Sequence, residues 1–109
     1  MMKNTLILKV SPKDSLNPYD KEALTERAKR AWKINPIRLQ MISEVLLVHN
    51  KVVVGVWEMG DRIIFNRATT RVEFPDLKWK ESELLGKTLL DYRTSNPASI
   101  ADSENLKFV

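Results

Sequence analysis

Val45-Leu46-Leu47-Val48-His49-Asn50-Lys51-Val52-Val53-Val54-Gly55-Val56-Trp57 is the stretch whose reading decides the fold. Two aliphatic, mostly β-branched runs flank a polar break at His49-Asn50-Lys51, and that pattern predicts a β-hairpin. Its turn chemistry is only fair, because Asn-Lys lacks the glycine that a type I′ turn prefers. Neither run has a polar face. Strands apolar on both sides belong at the centre of a closed or covered sheet, so these two are expected to be paired, central and part of a small barrel.

Upstream, Thr5 to Val10 is β-prone and runs into the turn residues Ser11-Pro12-Lys13-Asp14, which predicts a first strand. Asn17-Pro18 then reads as an N-cap followed by a proline at the first helical position, where a missing N–H costs nothing. From Tyr19 to about Lys33 the spacing is helical, with Leu24, Ala28, Ala31 and Trp32 on one face. Asn35-Pro36 repeats the device before a short helix or turn through Ile37, Arg38, Leu39 and Met41. Downstream of the hairpin, Gly60-Asp61 turns the chain into Arg62 to Asn66, Thr69 to Phe74 is a further strand, and Pro75-Asp76 ends it. Lys80 to Leu85 is expected to form a short helix closed by Gly86 in the left-handed region, with Leu89 to Arg93 extended after it. Leu106 and Phe108 suit a last edge strand or a mobile tail. No internal repeat or low-complexity tract divides residues 1–109, and one domain is expected.

Composition narrows the chemistry. The absence of cysteine excludes disulfides, thiolate metal sites and a cysteine nucleophile, and His49 as the single histidine excludes a zinc centre built on several imidazoles. Glu44, Glu58, Asp61 and Glu73 are carboxylates next to strands, but their spacing demands no magnesium site. Pro75-Asp76 with Lys78 and Lys80 fails the metal-dependent nuclease pattern, because Lys78 stands where the second acid belongs. The three glycines, Gly55, Gly60 and Gly86, form no phosphate-cradling loop. An enzyme is therefore not expected, nor any cofactor or metal. Val45 to Val48 is far shorter than a membrane span, and a cytoplasmic protein with no membrane partner is expected.

Eighteen Lys and Arg against fourteen Asp and Glu leave a net charge of +4, compatible with a polyanionic partner. The densest basic run, Arg27 to Arg38, holds Arg27, Lys29, Arg30, Lys33 and Arg38 and no acid. Those cations suit phosphate contacts, and an exposed Trp32 would offer a stacking platform for an unpaired base. An ordinary solvated helix face has the same appearance. Lys29, Arg30 and Lys33 lie opposite Leu24 and Ala28, beside Glu22 and Glu26, and Glu26 to Arg30 is a favourable i, i+4 pair. Trp32 shares the apolar stripe, which argues for the core rather than the site. For His49, a hydrogen-bonded loop or core role outweighs a base or ligand role.

The order of motifs resembles the domain that follows the GIY-YIG nuclease module in some bacterial proteins. The carrying residues are Glu26 to Ile34 with Ala31-Trp32-Lys33, then Arg38, then Val45 to His49 leading to Val52-Val53, then Leu85-Gly86-Lys87-Thr88 and Asn96-Pro97. The chain departs from that domain in carrying Lys29-Arg30 before the tryptophan, His49 for a strand-end tyrosine and Lys51 for a turn glycine. The nuclease module itself has no counterpart. The resemblance implies an accessory domain standing alone: an α+β fold, a small, highly curved antiparallel barrel or sheet of the PUA-like kind with an amino-terminal helix and one or two short helices. It does not imply catalysis, and together with the basic run it leads to the first reading, a non-catalytic module that binds nucleic acid, DNA or RNA, through Lys29, Arg30, Trp32, Lys33 and Arg38, with Lys87 and Asn96 near the barrel mouth. Two other readings stay open: a stand-alone protein-interaction module, such as an inhibitor or adaptor carried by a mobile element, and a small nucleotide-binding barrel.

Overall fold

Two parallel strands with a helix between them begin the fold. β1 (Asn4–Val10) and β2 (Ile42–His49) pair in parallel from Asn4 beside Ile42 to Val10 beside His49. A parallel pair needs a long crossover, and here it contains α1 (Lys21–Lys29) and a 3-10 turn at Pro36–Leu39. The structure, a computed structural model, describes residues 4–11, 17, 19–30, 32–39, 42–90, 92 and 97–109. Pro18, Ala31, Met41, Arg93 and Asn96, each named in the sequence reading, lie outside the described residues.

The expected hairpin forms. β2 pairs antiparallel with β3 (Val52–Glu58) through Asn50 and Lys51 at φ +52° and +67°, so both turn residues take the left-handed geometry of a type I′ turn without a glycine. The register slips by one residue at Val54, where Leu47 faces Gly55 but Val48 faces Val53. That bulge lets Val54 join the same cluster as Trp57, while Val53 and Val56 pack on the opposite face. Gly55 is bare because the Trp57 indole lies across it: a methyl there would stand 2.1 Å from the ring.

The main sheet has five strands in the order β6-β3-β2-β1-β8, with β6 (Lys78–Trp79) and β8 (Ala98–Asp102) as its two edges. The expected barrel is therefore wrong, and with it the PUA-like assignment, although the helix and the multi-stranded sheet of the described residues do make a mixed α+β fold. The two-faced apolar strands are satisfied by cover instead of closure. On one face Leu6, Leu8, Val45, Leu47 and Trp57 pack under Leu24 and Ala28 of α1 and under Val72 and Phe74. On the other, Ile7, Leu46, Val48, Val53 and Val56 pack under Leu84, Leu85, Leu89, Tyr92, Leu106 and Phe108. The second cover is pinned by the short pair β7 (Leu89–Leu90) and β9 (Lys107–Phe108), so the chain end is a strand.

The helix starts later and stops earlier than its spacing predicts. Asp20, not Asn17, is the N-cap, accepting from the Ala23 N–H at 3.1 Å, while Asn17 accepts from Tyr19 in a turn before it. At the other end, Arg30 is already extended. Two of the carbonyls a helix leaves open are taken from outside it: Phe74 N–H, distant in sequence, donates to Lys29, and the Trp32 indole N–H, four residues on, to Ala28, at 2.7 and 2.8 Å. Asn35 does cap the 3-10 turn, accepting from Ile37 N–H at 3.0 Å. The helix expected at 80–85 is absent. Lys80 N–H is bonded to Val56 and Gly86 N–H to Val53, and the residues between close in tight turns, with Gly86 left-handed as expected at φ +82°. No helix among the described residues is long and apolar enough to cross a membrane.

Candidate functional site

The chain leaving α1 meets a separate two-stranded hairpin, β4 (Ile64–Asn66) and β5 (Arg71–Glu73). Trp32 and Val72 exchange both backbone hydrogen bonds, at 2.9 and 2.7 Å, which lays the basic segment alongside β5. Arg62 grips Asp76 with two hydrogen bonds of 2.9 and 2.8 Å and closes the base of the hairpin. The Arg62 guanidinium holds the Asp76 carboxyl below the usual carboxylate range, chiefly by that hydrogen bond. Every residue from 60 to 71 is exposed, among them Ile63, Ile64 and Phe65.

The candidate residues separate around this hairpin. Trp32 is 3% exposed, with Arg27 stacked on its ring at 4.8 Å, so it is a core residue and offers no face to a base. Lys29 and Arg30 both approach Glu26 at 3.5 Å, and with Ile64 and Glu73 they line one shallow hollow, where their charge is partly neutralised. Lys33 faces a different hollow, of about 330 Å³, lined by Ile34, Asn35, Pro36, Phe65 and Thr70. Arg38 is exposed in the 3-10 turn just beyond. Lys87 is remote from all of these: its carbonyl accepts from Val53 beside the tip of the β2–β3 turn, whereas Arg38 precedes the opposite end of β2. The structure therefore brings Lys33 and Arg38 onto one segment and does not join Lys87 to them.

Sequence reading missed Phe65. Its cross-strand neighbour Val72 is fully buried, and Phe65 lies at the margin of the same face with 42% of its surface in solvent. The four-residue turn after it carries Arg67, exposed like Lys33 and Arg38, and none of the three makes an ion pair among the described residues. The signal was present as Ile63-Ile64-Phe65-Asn66-Arg67, an apolar run ending in a basic turn.

Comparison of the chain with protein-family models, curated proteins and solved structures finds no match.

Among the described residues, Glu44, Glu58, Asp61 and Glu73 do not converge on a metal centre. Glu44 pairs with Lys80 at 3.0 Å, Glu73 lies on the Lys29 side, and Glu58 and Asp61 share a hollow with Asp76, which Arg62 occupies. No group of three metal-ligating side chains occurs among the described residues. His49 has its Nε2 buried without a partner among those residues. A second cleft, about 420 Å³, lies between Tyr19 and Trp79 over Val52, Val53 and Val54. Lys21 sits over the Trp79 ring at 5.3 Å, and Glu81 accepts from both Lys21 (2.7 Å) and the indole N–H (3.1 Å), which keeps its carboxyl below the usual range. Lys21, Trp79 and Glu81 of that cleft are thus already paired with one another.

Proposed function

We propose that this chain is a non-catalytic nucleic-acid-binding module that uses the segment from Lys33 to Arg38 and the adjoining β4–β5 hairpin. The observation that carries the reading is a hollow lined by Lys33 and the exposed Phe65 ring, with Arg38 and Arg67, exposed like Lys33 and like it without an ion pair among the described residues, two residues along the chain from its lining residues Pro36 and Phe65. Cations not already neutralised by neighbouring acids are the ones able to exchange counterions for phosphates. The net charge of +4 and the order of motifs resembling a nuclease-associated accessory domain point the same way.

Titration against single-stranded, duplex and structured nucleic acid at two salt concentrations tests the reading. Three phosphate contacts give a log K against log salt slope of about −2 on single strands and nearer −3 on duplex DNA. Replacing Lys33, Arg38 and Arg67 together by Ala flattens that slope and leaves the thermal midpoint nearly unchanged, because exposed charges contribute little to stability. Absence of binding to every form at low salt defeats the proposal. It then favours a protein partner, for which the exposed Ile37, Ile64 and Phe65 are the specific support.

A further inference from the structure

We propose that the hollow beside Phe65 receives one unpaired nucleobase, so that the module takes single-stranded rather than fully paired nucleic acid; this rests on the nucleic-acid reading above. The ring is presented on a fixed support. Phe65 stands opposite Val72, whose N–H and C=O are both bonded to Trp32, and Trp32 is itself tied to the end of α1 through Ala28. An aromatic side chain positioned by a paired strand, with 42% of its surface free, is a stacking platform that needs little ordering when a ligand arrives.

The surroundings match a base and its phosphates in separate places. Ile34, Pro36 and Phe65 supply apolar walls to the hollow of about 330 Å³. Asn35 lies at the same hollow with its Oδ1 held by the Ile37 N–H at 3.0 Å, which fixes the carboxamide and leaves its NH₂ free, among the described residues, to donate to a base-edge acceptor. Lys33 lines the hollow with no acidic partner among those residues, placed for the phosphate of the same nucleotide. Arg67, two residues past Phe65, and Arg38, two past Pro36, are the nearest exposed cations along the chain for the neighbouring phosphates. A paired base keeps both faces stacked within the duplex, and only extrusion would bring it onto Phe65. The stacking face and the phosphate charge are common to RNA and DNA, so the sugar is not specified.

Fluorescence anisotropy with end-labelled oligonucleotides of one sequence decides it, using single-stranded RNA, single-stranded DNA, the DNA duplex and a single strand of abasic residues. Phe65→Ala and Phe65→Leu are each compared with the unaltered chain; Leu keeps the apolar bulk against Ile34 and Pro36 but removes the aromatic face, so a folding defect in the Ala variant does not spoil the test. The expected result is a loss of about tenfold for both variants on at least one single strand, about 1.4 kcal/mol and within the range for base stacking on an aromatic ring. Duplex and abasic binding should be unchanged, and so should the salt slope. Salt-dependent binding that Phe65→Leu leaves intact on both single strands overturns the base slot while the nucleic-acid reading stands. No binding to any of the four at low salt overturns both.

Discussion

The strands β1, β2 and β3 and the hairpin β4–β5 are built from the same kinds of residue but meet opposite fates. Leu6, Ile7, Leu8, Val45, Leu46 and Leu47 have no exposed surface, whereas Ile63, Ile64 and Phe65 are 39%, 47% and 42% exposed. Apolar character does not distinguish them. The number of covered faces does, because the central strands lie between two layers while the hairpin is anchored at one end by Val72 and Phe74 and projects its other residues into solvent. Apolar surface buried on folding stabilises the chain, and apolar surface left out remains available to a partner.

Truncation in each region is the strongest way to break that contrast. Leu46→Ala removes a fully buried side chain from the middle strand, with an expected cost of about 2–5 kcal/mol. Phe65→Ala removes a larger side chain, yet it should cost no more than about 1 kcal/mol because much of it is already in water. Urea denaturation of the two variants checks this. Comparable losses would mean that the hairpin belongs to the stability core and is not a presented surface.

A smaller effect sharpens the role of the helix that covers one face. Asp20→Ala should destabilise by about 1 kcal/mol, since its carboxylate accepts the Ala23 N–H at the start of α1. Asn17→Ala should cost less, because Asn17 serves only a turn ahead of the helix. Thermal denaturation of the pair, read by circular dichroism, reverses this assignment if Asn17 proves the more costly.

The legible part of the fold was the part written in local pattern. Strands β1, β2 and β3 were readable because their aliphatic runs are dense, and the turn between β2 and β3 because Asn50-Lys51 separates them cleanly. That β1 lies parallel to β2 was not, since nothing near Thr5 names its partner, and two-faced apolarity fits a covered sheet as well as a barrel. The end of α1 was hidden for a related reason: Ala31 and Trp32 continue the helical spacing, but Trp32 turns its indole back onto Ala28 and the Lys29 carbonyl is taken by the distant Phe74 N–H. At the candidate site, exposure was the part that local pattern left open. Trp32 and Phe65 each stand beside basic residues in the sequence, and only the bonding of Val72 to Trp32 and of Phe74 to Lys29 decides that the first is buried and the second is not.

Acid provides the mildest test of the contrast, because the hairpin's base is closed by a two-hydrogen-bond charged pair, Arg62 with Asp76. Asp76 has its carboxyl pulled below the ordinary range, first by its hydrogen bond from Arg62. A carboxyl whose folded pKa is depressed contributes stability that is fully present above the unfolded value, about 3.9, and is lost as pH falls through the lower folded value. The tie should therefore hold at neutral pH and release only well below pH 4. The loss in global stability should be slight, since the pair is at the surface and screened. NMR resonances of Ile64 and Phe65 should then move with the Asp76 titration, while the methyls of Ile7 and Leu46 stay in place, and Asp76→Asn should abolish the movement. If the core methyls shift at the same pH as the hairpin, the two regions open as one unit, and the hairpin is no separately anchored surface.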